Sequence, residues 1–158
     1  MAVEAVQLPE ITEAATRERL LKGLAERSVT AEPSPHAMQA IAGIQALLAG
    51  EPRHLLEIVL DTRRLTPFQC LVFDTVRRIP PGQTRTYGEI AQAVGRPQAA
   101  RAIGQTMGFN PFAPVVPCHR VLAAGNRPGG FSATGGAATK LRMLAIEGAL
   151  MGDTPALF

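Results

Sequence analysis

A chain of 158 residues, 46% of them hydrophobic and none of them tryptophan, has room for one ordinary domain or two small lobes around an aliphatic core. No apolar run approaches the roughly 18 residues of a membrane span, the acidic first twenty residues lack a secretion signal's apolar centre, and two cysteines without CxxC spacing argue against a structural zinc site, so a cytoplasmic protein without metal or cofactor is expected. Residues 1–65 carry seven basic and nine acidic side chains, residues 66–158 nine and four, and this basic second half points to a polyanionic partner, nucleic acid first.

Residues 1–30 are charged and helix-permissive, with Leu20, Leu21 and Leu24 at helical spacing between Glu10 and Glu26. The stretch Ala31-Glu32-Pro33-Ser34-Pro35 is a break, after which Ser34 caps a helix with Pro35 at its first position. That helix runs to Ala49, where Gly50 stops it, with Met38, Ile41, Ile44, Leu47 and Leu48 on one face. Leu55 to Leu60 read as a strand, and Thr62-Arg63-Arg64-Leu65 as a boundary between lobes.

Thr66-Pro67 opens the second lobe as an N-cap followed by proline. The helix it starts continues through Arg78, with Phe68, Leu71, Val72 and Val76 inward and Cys70 reading as inert core. Pro80-Pro81-Gly82 ends it, and Thr84 to Thr86 are extended. Thr86-Tyr87-Gly88-Glu89 is a capping box that opens a short helix with Ile90, Ala91 and Val94 apolar. A turn at Gly95-Arg96-Pro97 leads to a further helix from Gln98 to Met107, a helix-turn-helix pattern. Ala99, Ala100 and Ala102 let this second helix approach a surface closely, and Arg101 is its one long cation. After a turn at Asn110-Pro111, a strand is expected to run into Cys118. Val121 to Ala123 are extended, loops follow at 125–130 and 135–136, and Thr139 is expected to cap a last helix through Glu147, with Leu141, Leu144 and Ala145 apolar.

The chemistry concentrates in Pro117-Cys118-His119-Arg120. A thiol attacks as its thiolate, and free cysteine titrates near 8.5, so a histidine beside it has an evident use as base. A buried cysteine on a strand next to an unrelated surface histidine gives the same four letters.

Taken together, Thr86-Tyr87-Gly88-Glu89-Ile90-Ala91, Ala99-Ala100-Arg101-Ala102-Ile103-Gly104, Asn110-Pro111, Pro117-Cys118-His119-Arg120-Val121 and Glu147-Gly148 resemble the O6-alkylguanine-DNA alkyltransferase family, that is, methylated-DNA–protein-cysteine methyltransferases. The likeness covers about residues 66–150, with the blocks in family order. It implies an α/β (α+β) fold: a small, mainly structural N-terminal α/β lobe at 1–65, and a mostly helical, winged-helix-like catalytic and DNA-binding lobe at 66–158. By this resemblance Cys118 accepts a methyl or other alkyl group from guanine O6, and from thymine O4 in some settings, in one irreversible displacement. His119 takes the thiol proton through a bridging water, Glu147 orients His119, and Asn110 braces the turn. Tyr87 supplies a proton to guanine N3. Arg101 fills the gap left by the extruded base while Ala99, Ala100 and Ala102 lie against the minor groove. Val121, Phe131 and Ser132 line the pocket, backbone carbonyls near Cys118 and Val121 reading the guanine amino group. The partner implied is double-stranded DNA, bound by a monomer.

Three features depart from the family pattern. The loop from Gly130 to Gly136 is two residues longer than in many relatives, Phe131 stands where tyrosine is common, and the first lobe lacks the Cys/His set that holds zinc in some members. A lesion-binding protein without transfer activity, a cysteine-histidine hydrolase and a DNA-binding regulator are the competing readings. The cysteine at 118 argues against the first.

Overall fold

The computed structural model of the chain describes residues 2–22, 24 and 32–149. Six α-helices and one two-stranded sheet among them make a mixed α/β fold: α1 Glu13–Lys22, α2 Pro35–Leu48, α3 Pro67–Arg77, β1 Arg85–Thr86, α4 Tyr87–Ala93, α5 Ala100–Phe109, β2 Val121–Leu122 and α6 Gly136–Ile146. The expected charged stretch toward Glu26 and the start of the break at Ala31 lie outside the described residues, as does the chain beyond Ala149.

Side chains that satisfy otherwise unpaired N–H groups fix three helix starts. Ser34 accepts from the Ala37 N–H ahead of α2. Thr66 and Thr86 close capping boxes with Gln69 and Glu89 at the heads of α3 and α4. The fourth expected cap is different. α6 begins at Gly136, three residues before Thr139, and its N-cap is Gly135 in the left-handed region at φ 86. The Thr139 hydroxyl donates instead to the Thr134 carbonyl, tightening the loop before the helix.

The face of α2 is rotated from the one its large side chains suggest. Ala40, Gly43 and Leu47 are buried, while Met38 and Ile41 are 52% and 44% exposed. A Cβ on Gly43 would lie 2.8 Å from a Leu55 methyl, so the absence of a side chain there lets the Leu55 turn press in. Residues 55–60 form that turn and not a strand. The Arg77 guanidinium donates to the carbonyls of Leu55, Leu56 and Ile58, which curls the segment. Leu55 and Ile58 are then buried and Leu56 and Val59 exposed, which is not strand alternation. Only Leu60 pairs, through a parallel bridge to Val3. On α3, Phe73 is buried where Leu71 was expected, Leu71 being 45% exposed, and Cys70 is half-buried instead of core.

α4 and α5 pack as a helical pair joined by residues 94–99, with Ile90, Ala91, Ile103 and Met107 inward against α3. The strand expected before Cys118 is a series of turns. Val115 and Val116 are both fully buried, but in different clusters. Val115 lies with Ala40, Leu47, Leu55 and Ile58, whereas Val116 lies with Val72, Phe73, Ile103 and Cys118. Immediately past Arg120, β2 pairs in parallel with β1, Arg85 opposite Val121 and Thr86 opposite Leu122. This pairing fastens the head of α4, and so Tyr87, to the chain beside Cys118.

Candidate active site

Cys118, His119 and Arg120 form one tight 3-10 turn, and all three are buried. Asn110 holds the approach to it. Its side-chain N–H donates to the Val116 carbonyl at 2.8 Å, its oxygen accepts from the Phe112 N–H at 3.0 Å, and its side chain favours the charged form of the thiol.

His119 Nε2 lies 2.8 Å from Glu147 Oε1. Burial would push the Glu147 carboxyl up, but hydrogen bonds from His119 and Arg120 bring it down to about 2. An ionised carboxylate only accepts, so Nε2 carries the hydrogen and Nδ1 keeps its lone pair. Nδ1 is buried with no protein partner. Burial holds the imidazole below its ordinary value in spite of Glu147, so His119 is neutral near pH 7. It is a neutral base whose accepting nitrogen is not used by a protein donor.

Arg120 was in the motif but had no assigned role. Its guanidinium grips Glu147 with two donors, Nε to Oε2 at 2.9 Å and Nη2 to Oε1 at 2.7 Å, and Nη1 donates to the Ile79 carbonyl at 2.6 Å. This fork fits a carboxylate where a lysine would not. The charge that orients His119 is therefore itself fixed.

Lys140 escaped the sequence reading altogether. It is fully buried on α6, its ammonium donates to the Val121 carbonyl, and Nζ sits 5.7 Å from the centre of the Tyr87 ring. Burial lowers it to about 8, against the pull of the Cys118 thiolate. Its signal lay in spacing: Lys140, Met143 and Leu144 are the buried residues of α6. A lysine at an inward helical position is read by default as solvated.

The thiol differs from expectation. The motif suggests a cysteine readily converted to its thiolate by the neighbouring histidine. Instead burial pushes the thiol up, outweighing Asn110, the Lys140 charge and the backbone N–H groups of Cys118 and His119. The resting group is the neutral thiol, and the proton must leave during the reaction. The site is built so that each thiolate-stabilising group is present before the charge forms.

Tyr87 is half-buried at the start of α4 and packs against the cluster that contains Cys118. Burial, then the Cys118 charge, raise its phenol, so it is a protonated donor. A Cβ on Gly129 would come 3.4 Å from its ring, so the loop after β2 closes directly on it. Phe131 packs on the same cluster, whereas Ser132 is exposed. Val121 is fully buried, and its carbonyl, anticipated as a base reader, accepts from Lys140. Arg101 is exposed in the first turn of α5, and Ala99, Ala100 and Ala102 are half-buried beside it. Cys118, His119, Glu147, Asn110 and Tyr87 are thus gathered in one corner. On α5, Ala100 packs on the same core cluster while Arg101 faces outward. Among the described residues no group of three or more His, Cys, Asp or Glu is placed to hold a metal, and no helix is long and apolar enough to cross a membrane.

Residues 67–149 match the family model for the DNA-binding domain of 6-O-methylguanine DNA methyltransferase. The methylated-DNA–protein-cysteine methyltransferase of Mycolicibacterium paratuberculosis is 41% identical over 141 residues, spanning 84% of this chain and 83% of that protein. The Mycobacterium tuberculosis protein of the same name is 42% identical over 116 residues, 73% of this chain and 68% of its own. The crystal structure of Mycobacterium tuberculosis OGT in complex with DNA superposes with a TM-score of 0.64 at 41% identity, covering 77% of this chain and 73% of that one. O6-methylguanine-DNA methyltransferase from Pyrococcus kodakaraensis gives 0.69 at 25% identity, over 94% and 89%.

Proposed function

Since the chain belongs to the methylated-DNA–protein-cysteine methyltransferase family, we infer that it repairs DNA by moving an alkyl group from guanine O6 to its own Cys118. The Cys118 sulfur attacks the alkyl carbon; the S–C bond forms as the C–O6 bond breaks. The thiol proton passes toward His119 Nδ1, and the electron pair leaves on the guanine, which takes a proton at N3 from Tyr87. Glu147, held by Arg120, balances the imidazolium. The product is a thioether, a bond that water does not cleave under ordinary conditions, so each chain reacts once. The observation that carries this reading is the neutral His119 with its accepting nitrogen unpaired, next to a buried thiol surrounded by thiolate-stabilising groups.

A base in a duplex must be taken out of the stack to reach a buried sulfur, at an expense of a few kcal/mol. Arg101, exposed at the head of α5, is proposed to occupy the gap, with Ala99, Ala100 and Ala102 allowing the helix to lie close in the minor groove. Residues 1–65 act mainly as a buttress to the catalytic lobe at 66–158, because their core closes over Val115. A thiol that must stay reduced suits a cytoplasmic setting.

Duplex oligonucleotide labelled in the O6-methyl group tests the reading. The wild type should take up one label per chain and then be inert, the label should map to residue 118, and Cys118→Ala should bind the duplex without uptake. A lesion that persists while the protein binds it would support the binding-only alternative instead.

A further inference from the structure

The loop that closes on Tyr87 is tied to the other end of the chain. Arg19, on α1, donates from Nη2 to the Ser132 carbonyl at 2.7 Å and from Nη1 to the Thr134 hydroxyl at 3.2 Å. The same guanidinium pairs with Glu10 at 2.7 Å, and Glu10 in turn accepts from the Thr134 hydroxyl. Glu10 is itself set, since Gln7 donates to its carboxylate and its N–H donates to Thr16. Its side chain is only 12% exposed, against 44% for Arg19.

The loop has little stiffness of its own. Four of the eight residues from 129 to 136 are glycine, the residue type with most backbone freedom to lose. Gly129 rests on the Tyr87 ring and Phe131 on the Cys118 cluster, so the segment is one wall of the thiol pocket. An O6 substituent larger than methyl has to displace that wall. How far it yields depends on ties from outside the loop, and among the described residues Arg19 supplies two of them, beside the Thr134 hydroxyl's own bond to Glu10.

We propose that Arg19 is a specificity-determining residue: by fastening loop 130–136 to the Glu10 segment, it limits the size of the O6 substituent that the pocket admits. This rests on the repair activity inferred above.

The experiment uses the full chain in single-turnover transfer from duplexes carrying either O6-methylguanine or O6-benzylguanine. The benzyl-to-methyl rate ratio should rise about threefold in Arg19→Ala, the scale of a partly exposed polar cluster. Arg19→Lys, which keeps the charge but not the two-pronged reach, should fall between. Thr134→Val should add less to Arg19→Ala than to the wild type, because the two share one contact. A wild type inert to benzyl beside an Arg19→Ala that reacts is the same result in extreme form. A ratio unmoved or lowered in Arg19→Ala, with methyl transfer intact, overturns the role of Arg19 alone. A wild type that transfers neither group overturns the repair reading itself.

Discussion

Around Cys118, charge is buried and bonded from several sides. Glu147 takes His119 and both prongs of Arg120, Arg120 also holds Ile79, and Lys140 holds Val121. Loop 129–136, only a few residues away, is glycine-rich and held at its outer edge through a half-exposed arginine. Bond-making needs reacting atoms placed within a fraction of an ångström, whereas a range of substituents needs a wall that gives. The molecule spends its costly buried charges on the first requirement and leaves the second to contacts that water weakens.

Arg120→Ala presses hardest on that contrast. It leaves Glu147 buried beside a neutral imidazole and the Ile79 carbonyl without its donor. The expected loss is about 3–5 kcal/mol, as for other broken buried pairs. Urea denaturation measures it, and a loss under about 1 kcal/mol would mean that the corner is not held by its ion pair.

Lys140→Met is the sharper probe of chemistry. The thiolate loses its nearby cation, so transfer should slow about tenfold, one pKa unit's worth. Thermal stability should change little, because removal of a buried charge is offset by the Val121 carbonyl losing its donor. The groups facing Nζ are Tyr87, the Val121 carbonyl, Cys118 and His119. Lys140 in the fold is depressed from 10.5 to about 8, so its charge is present below that pH and lost above it. The wild-type advantage should therefore shrink as pH rises through about 8. A pH-independent ratio would assign Lys140 to packing alone.

The mildest change falls on the loop. Gly129→Ala adds a methyl 3.4 Å from the Tyr87 ring at φ +65, for a loss of about 1 kcal/mol in thermal unfolding. A loss as large as that of Arg120→Ala would erase the distinction between the two regions.

Much of this architecture was legible in the sequence because local signals carry it. Capping at Ser34, Thr66 and Thr86 depends on a few neighbouring residues, and so does the pair of helices α4 and α5. The strand at 55–60 was misread because a distant cation, Arg77, bends it. The inward face of α2 was misread because a glycine was worth more than a methionine or an isoleucine where Leu55 arrives. In the site, Cys118, His119 and Glu147 were nameable from the motif blocks. Their supports were not. Lys140 and Arg120 look like surface residues until the fold shows which carbonyls and carboxylates are otherwise unmatched, and the thiol's raised protonation follows from burial that no short motif encodes.

Val115 and Val116 are neighbours whose side chains are sunk in different cores, two residues before the sulfur. The nucleophile's backbone is thus riveted from both sides, like a pin through two plates. Trimming the chain to its second lobe would strip the cover from Val115 and loosen the pin. On the proposed reading, one way in which the first lobe bears on the reaction is by stilling that peptide unit.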